Sequence, residues 1–365
     1  MNLRYLEGGT ERIFLKENMT TKRGRKTMNR KRMAITLAVV VLSLSLTGLA
    51  FAQGTLNVYS IWPESFAVPM FEAFTAETGI GVNFIRHSSG EVLARLIAEK
   101  NNPRVDMVFG GPADTFAAMV EEGLLEPYYP EGYEAIPEQY RDKEGYWFGM
   151  AQNPLVFLSN RQFLEENGLE PPRSWFDFLD PVYHQQLQTA DARTSGTAVS
   201  RIMSLIYAFG DEDAAFDYMR QLRDSVQIYT KSGGGGTVPV ALQQAGAGIF
   251  FIVDSIATQE KGYDVVISFP KEGSASAVEA SGIVKGGKQP ELAKKMLDWL
   301  VTAEAQSVYA QSGIGFLPTH PSAVVTPLVD LTDANLFMVD LDWAGANRQR
   351  LVERWIDEVI QGEEF

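Results

Sequence analysis

What most limits the folds open to this chain is an alternation. From residue 56 onward, short extended runs and amphipathic helical stripes take turns, the pattern of βαβ units and a parallel or mixed sheet. Residues 56–59 read as a first strand. The helix after it carries Phe66, Met70, Phe71 and Phe74 on one face, places Pro69 in its first turn, where no helical N–H is needed, and ends at Gly79. Residues 82–85 read as a second strand. Ser88 and Glu91 then form an S-x-x-E capping box for a helix whose stripe is Val92, Leu93, Leu96 and Ile97. A third strand over 105–109 stops at Gly110-Gly111.

Residues 148–158 read as a long strand that carries the chain into a second lobe. There, helices are expected over 196–209, 212–223 and 238–245, and strands over 226–229, 248–252 and 265–269. The chain returns near 281–284 and runs through helices at 291–302 and 303–312; a last helix over 343–358 packs across the lobes. Two crossings imply a hinge. The fold class expected is α/β with two lobes, residues 53–150 plus 281–365 and residues 151–280, and a cleft between them. The glycine run at 233–236 is the only low-complexity tract, and no internal repeat is visible.

The first 52 residues read as an export signal. Arg30, Lys31 and Arg32 precede an apolar run over 34–49, which stops at Ala50-Phe51-Ala52, a small-x-small cleavage pattern. Met28 sits directly before the basic cluster and marks the expected true start. The formal charge of the whole chain is −14; ten basic and three acidic side chains precede Gln53, so the exported part carries 22 basic against 43 acidic, or −21. Such a surface repels nucleic acid. The chain has no cysteine, which excludes disulfides, thiolate metal sites and a lipobox anchor. A monomer in the periplasm is expected.

Three loops share one design. Ser88-Ser89-Gly90, Thr194-Ser195-Gly196-Thr197 and Ser232-Gly233 with the three residues Gly234, Gly235 and Gly236 each place small hydroxyl residues and glycine just before a helix, where main-chain N–H groups lack helical partners. The same residues are the usual helix caps. If the loops converge, they form a phosphate or carboxylate site without lysine. None matches a P-loop, because no G-K-[ST] follows the glycines.

Signals for catalysis are weak: there is no G-x-S-x-G and no H-E-x-x-H, and His87, His184 and His320 are scattered. Asp254 follows the apolar run 249–253, where a strand-end carboxylate would meet a ligand hydroxyl or amine. Trp62 and Phe251 are candidates to line the cleft. No cofactor or metal is expected.

With these residues placed, the chain resembles the ABC-transporter substrate-binding proteins of the group that includes binders of ferric ion, hexose phosphates and 2-aminoethylphosphonate. The matching stretches are LNVYS at 56–60, SSGEVLARLIAEKNNP at 88–103, DMVFGG at 106–111, ARTSGTA at 192–198, GIFFIVD at 248–254 and FPKEG at 269–273. The resemblance implies a type II-like periplasmic-binding-protein fold with two hinge crossovers, closure on the ligand and delivery to a membrane permease. It implies ligand contacts at Ser60, Trp62, Ser88, Ser89, Thr194, Ser195, Gly196, Thr197, Ser232, Gly233 and Asp254. Ferric-ion members carry adjacent tyrosines in the region of residues 251–254, and this chain has none there, so the organophosphate and phosphonate branch is favoured. Sugar-phosphate relatives often carry His-Asp where this chain has Val253-Asp254. A ferric-ion or iron-chelate receptor is the alternative, and a secreted hydrolase or lyase a more distant one.

Overall fold

A computed structural model describes residues 54–361; the expected export segment lies outside the described residues. One sheet runs through the molecule. Its order is β2 (Gly81–Arg86), β1 (Thr55–Ser60), β3 (Met107–Pro112), β10 (Ser274–Val284), β5 (Phe148–Asn160), β8 (Ala247–Phe251), β6 (Leu187–Ala190) and β7 (Val226–Thr230). β2, β1 and β3 are parallel, and so are β8, β6 and β7. β10 and β5 lie antiparallel between the two sets. The short strands β4 (Leu125–Glu126) and β12 (Leu336–Phe337) pair with β10, while β9 (Val265–Ser268) and β11 (Leu317–Pro318) pair with β5.

Two cores flank β5 and β10. The first gathers Val58, Phe66, Phe74, Val92, Leu96 and Phe109, from β1, β3 and the helices α1 (Glu64–Thr78) and α2 (Ser89–Glu99). The second gathers Phe157, Trp175, Val199, Ile202, Phe216 and Trp355, around α5 (Gly196–Phe209) and α6 (Glu212–Leu222). Up to residue 154, β5 pairs with β10; from Leu155 on it pairs with β8. β5 and β10 are therefore crossings between the lobes, the second at the start of β10, near residues 274–276, rather than near 281–284 as expected, since 281–284 already pair with β3 and β4; the irregular stretch between β11 and β12 adds a third passage, because β11 pairs with the first half of β5 while Leu328, Val329 and Leu331 pack on Ile252 and Phe269.

Some local expectations needed correction. Pro69 lies in the second turn of α1, which starts at Glu64; the helix tolerates it because the carbonyl left without a donor, that of Ser65, sits in the exposed first turn. The third strand runs on through Gly110-Gly111. The helix expected over 238–245 shrinks to α7 (Thr237–Ala241), which contains Pro239 and is followed by Gln243 at φ 56°. The C-terminal helices divide between the cores: α9 (Pro290–Leu300) and α10 (Ala303–Gln311) give Leu297 and Tyr309 to the first, whereas α11 (Leu341–Glu358) gives Leu351 and Trp355 to the second. The first half of α11 packs on α3 (Ala113–Glu121) of the first lobe: Gly345 lies close against Ala117, and Arg348 Nε meets Asp114 at 2.9 Å in a buried ion pair. That helix does pack across the lobes. Burial pushes the Asp114 carboxyl up to about 6 despite Arg348.

Candidate ligand-binding cleft

A small, half-open cleft lies between the lobes. Ser88 and Ser89, at the start of α2, line it from the first lobe; Ser195, Gly196 and Thr197, at the start of α5, line it from the second. Ser195 caps α5 without a side-chain bond to that helix, so its hydroxyl is not consumed by capping. At α2 the Glu91 carboxylate accepts the Ser88 N–H at 3.0 Å, as the capping box requires. The first-turn N–H groups of both helices lack intrahelical acceptors, so two positive helix ends meet at one cavity.

The glycine-rich loop reaches the same place by close contact. A Cβ on Gly233 would collide with Thr197, and one on Gly234 with the Asp254 carboxylate. Both glycines line the cleft. Since α7 is one short turn, this loop contributes its main chain at the turn rather than a helix end.

Three expected contacts lie elsewhere. Ser60 is fully buried and its hydroxyl donates to the Trp62 carbonyl at 2.8 Å, so it braces the wall behind the cleft. Thr194 donates its hydroxyl to the Lys231 carbonyl at 2.8 Å, tying two loops of the second lobe together. The Ser232 carbonyl accepts from Thr230 Oγ1 and from the Gly235 N–H within its own turn. None of the three lines the cavity. His87 also stays out; its ring packs edge-on against Tyr59.

Trp62 lines the cleft, but not as a stacking platform. Phe316 stacks on its ring at 4.1 Å, Gly110 presses against it, and its Nε1 donates to Glu279 at 2.8 Å. Phe251 lines the cleft as expected. Sequence reasoning missed Glu279, which stands at an irregularity of β10 and accepts also from the Gly111 N–H at 2.8 Å and Asn153 Nδ2 at 3.0 Å. Asn153, on β5, accepts the Val253 N–H through Oδ1 at 3.4 Å. One hydrogen-bonded chain thus links Trp62 in the first lobe, both hinge strands and the residue before Asp254 in the second. Burial raises the Glu279 carboxyl above its usual range, and its three donors oppose that shift.

Arg86, at the end of β2, is the other missed residue. It lines the cleft, donates to Ser88 Oγ at 3.3 Å, and buries an Nε with no partner among the described residues. Burial lowers its pKa, with Glu91 and Asp254 opposing, so a desolvated cation faces the cavity. Asp254, in the first turn of α8 (Ile252–Glu260), faces the same space; enclosure by protein pushes its carboxyl up to about 7, Glu279 adds to the rise, and Arg86 and Lys261 oppose it. The lining therefore has a set of groups suited to an anion, Arg86 and the two helix starts, and an acidic set, Asp254 and Glu279.

The comparisons with known proteins agree with this geometry. A family model described as bacterial extracellular solute-binding protein matches residues 102–343. A protein of Haemophilus influenzae is 30% identical over 340 residues, 91% of this chain and 98% of its own. A putative 2-aminoethylphosphonate-binding periplasmic protein of Salmonella typhimurium is 30% identical over 270 residues, 71% of this chain and 77% of its own. Among solved structures, the periplasmic binding protein AfuA of Actinobacillus pleuropneumoniae, with fructose-6-phosphate bound, superposes with a TM-score of 0.79 at 29% identity, covering 84% of this chain and 99% of that one. Among the described residues no helix is long and apolar enough to cross a membrane. The chain belongs to the bacterial extracellular solute-binding proteins, receptors that serve ABC importers.

Proposed function

We propose that this receptor binds a small organic molecule bearing a phosphate ester or phosphonate between its lobes in the periplasm, and hands it as a monomer to its permease without chemical change. The observation that carries the reading is Arg86: a half-buried cation whose Nε is buried and has no partner among the described residues, facing a cavity on which the N-termini of α2 and α5 converge. Charge-assisted hydrogen bonds of this kind contribute about 1.5–3 kcal/mol each, and a helix end adds about 0.3–2 kcal/mol. Asp254 and Glu279 suit the other end of the ligand, where hydroxyl or ammonium groups would donate to them. Two relatives support the reading, one named as a putative binder of an aminophosphonate and one holding a sugar phosphate, since both of those ligands have that bipolar chemistry. Ferric ion fits poorly: the carboxylates lining the cleft are Asp254 and the thrice-bonded Glu279, and no tyrosine lines it among the described residues.

The test is calorimetry against 2-aminoethylphosphonate, fructose 6-phosphate, inorganic phosphate and ferric citrate. Ser195→Ala combined with Thr197→Ala removes two hydroxyl donors while keeping the main chain, and is expected to weaken the phosphorus ligand at least about a hundredfold. Normal binding by the double variant, or tight binding of ferric citrate alone, sinks the reading.

A further inference from the structure

Across the cleft the lobes touch through main chain. The Gly90 N–H, in the first turn of α2, donates to the Thr194 carbonyl of the second lobe at 3.0 Å, and the Ser88 hydroxyl donates to the Lys231 carbonyl at 3.2 Å. Donors and acceptors are all protein groups, so neither bond depends on what the cleft holds. Gly90 itself does not line the cavity. A Cβ at this position would lie 2.6 Å from the Arg193 carbonyl oxygen and 3.3 Å from Cα and O of Thr194. These are main-chain atoms, and the turn that carries them is braced. The buried Asp191 carboxylate pairs with Arg193 at 2.8 Å, and the Asp191 carbonyl accepts the N–H groups of Thr194 and Ser195. No side-chain rotation makes room.

We propose that Gly90 is the residue that sets how far the lobes close: its missing side chain admits the Thr194 carbonyl to its N–H, and this bond holds the shut state whatever the ligand. The inference goes beyond the ligand reading and stands or falls without it. It also gives the SSG loop a second task. Ser88 and Ser89 face the ligand space, while the third residue faces the opposite lobe.

The chain's lack of cysteine permits clean spin labelling. Cysteines replacing Glu72 on α1 and Glu165 on α4 (Arg161–Asn167), both exposed, place one label on each lobe. Pulsed dipolar spectroscopy is then run without ligand on the labelled protein and on its Gly90→Ala and Ser88→Ala versions. The labelled parent is expected to show a shorter, closed distance beside a longer one. Gly90→Ala is expected to cut the shorter population about tenfold, the weight of one lost hydrogen bond and a backbone collision, and Ser88→Ala less. Alanine is a better helix former than glycine, so the melting temperature of Gly90→Ala is expected to hold, which separates a closure defect from a folding one. A single long distance in every version, or a closed population that Gly90→Ala leaves intact, overturns the proposal.

Discussion

The two sets of groups that line the cleft are built in opposite ways. The anion set is made of contiguous loop residues, Ser88-Ser89 and Ser195-Gly196-Thr197, joined by one cation from the end of β2. The acidic set is assembled from distant parts of the chain: Trp62 and Glu279 are separated by 217 positions and Asn153 and Glu279 by 126. Donors at helix starts require only local chain geometry, so they grip any group that shares the anion. Within the acidic set, Glu279 stands on β10 and its partner Asn153 on β5, the strands that join the lobes, whereas Asp254 sits in the first turn of α8. On the proposed reading, the first set of groups is expected to fix the chemical class of ligand and the second to select among members of that class.

The strongest way to break this contrast is at Arg86. Replacing it by alanine removes the one cation among the described residues that line the cleft, and at two charge-assisted bonds the affinity for a phosphorus ligand is expected to fall about a hundredfold or more by calorimetry. Stability is expected to rise slightly, because no described carboxylate lies within ion-pair distance and a desolvated charge is removed. A variant that binds normally would reduce the anion set to two helix caps.

Glu279 probes the other set. Glu279→Ala leaves three buried donors, Trp62 Nε1, the Gly111 N–H and Asn153 Nδ2, without their acceptor, and is expected to cost about 2–5 kcal/mol of folding stability in denaturant titration. Trp62→Phe removes a single donor and is expected to cost about 1 kcal/mol. Equal losses from the two changes would show that Glu279 serves Trp62 alone rather than the whole hinge network.

The same contrast explains what was legible in the sequence. Helix starts follow from local preferences, so α2 and α5 and their serine and glycine residues were placed correctly from residue types alone. Strand alternation likewise gave the two lobes. Thr194 and Ser232 had the right chemistry, but the Thr194 hydroxyl is taken up by the Lys231 carbonyl of a neighbouring loop and Ser232 is held by its carbonyl within its own turn, a competition that pattern cannot reveal. Arg86 follows a predicted strand with nothing in its neighbourhood to mark it; its place in the cleft depends on the tertiary arrangement. A faint signal for Glu279 existed, since a lone carboxylate amid the small residues of SASAVEASG is unusual in a buried strand. Nothing local, however, links it to Trp62 or Asn153.

The smallest expected effect is the most selective. The Asp254 carboxyl titrates near 7 in the folded protein against about 3.9 unfolded, so between those values the folded state holds a proton that the unfolded state has released. Its contribution to stability is therefore fully present below about pH 4, is lost as pH rises towards 7, and is flat beyond; Asp254→Asn is expected to flatten that part of the stability curve. Ligand hydroxyl or ammonium groups reaching Asp254 favour the carboxylate, so binding near pH 6.5 is expected to expel up to about one proton. Calorimetry in two buffers of different ionisation enthalpy measures the release. The phosphate group adds its own, since its second pKa lies near 6, but that part is common to wild type and Asp254→Asn. The difference between the two proteins isolates Asp254. A clear excess in wild type places the non-phosphorus end of the ligand on this carboxylate, and equal release in both removes Asp254 from recognition and leaves selection to Glu279.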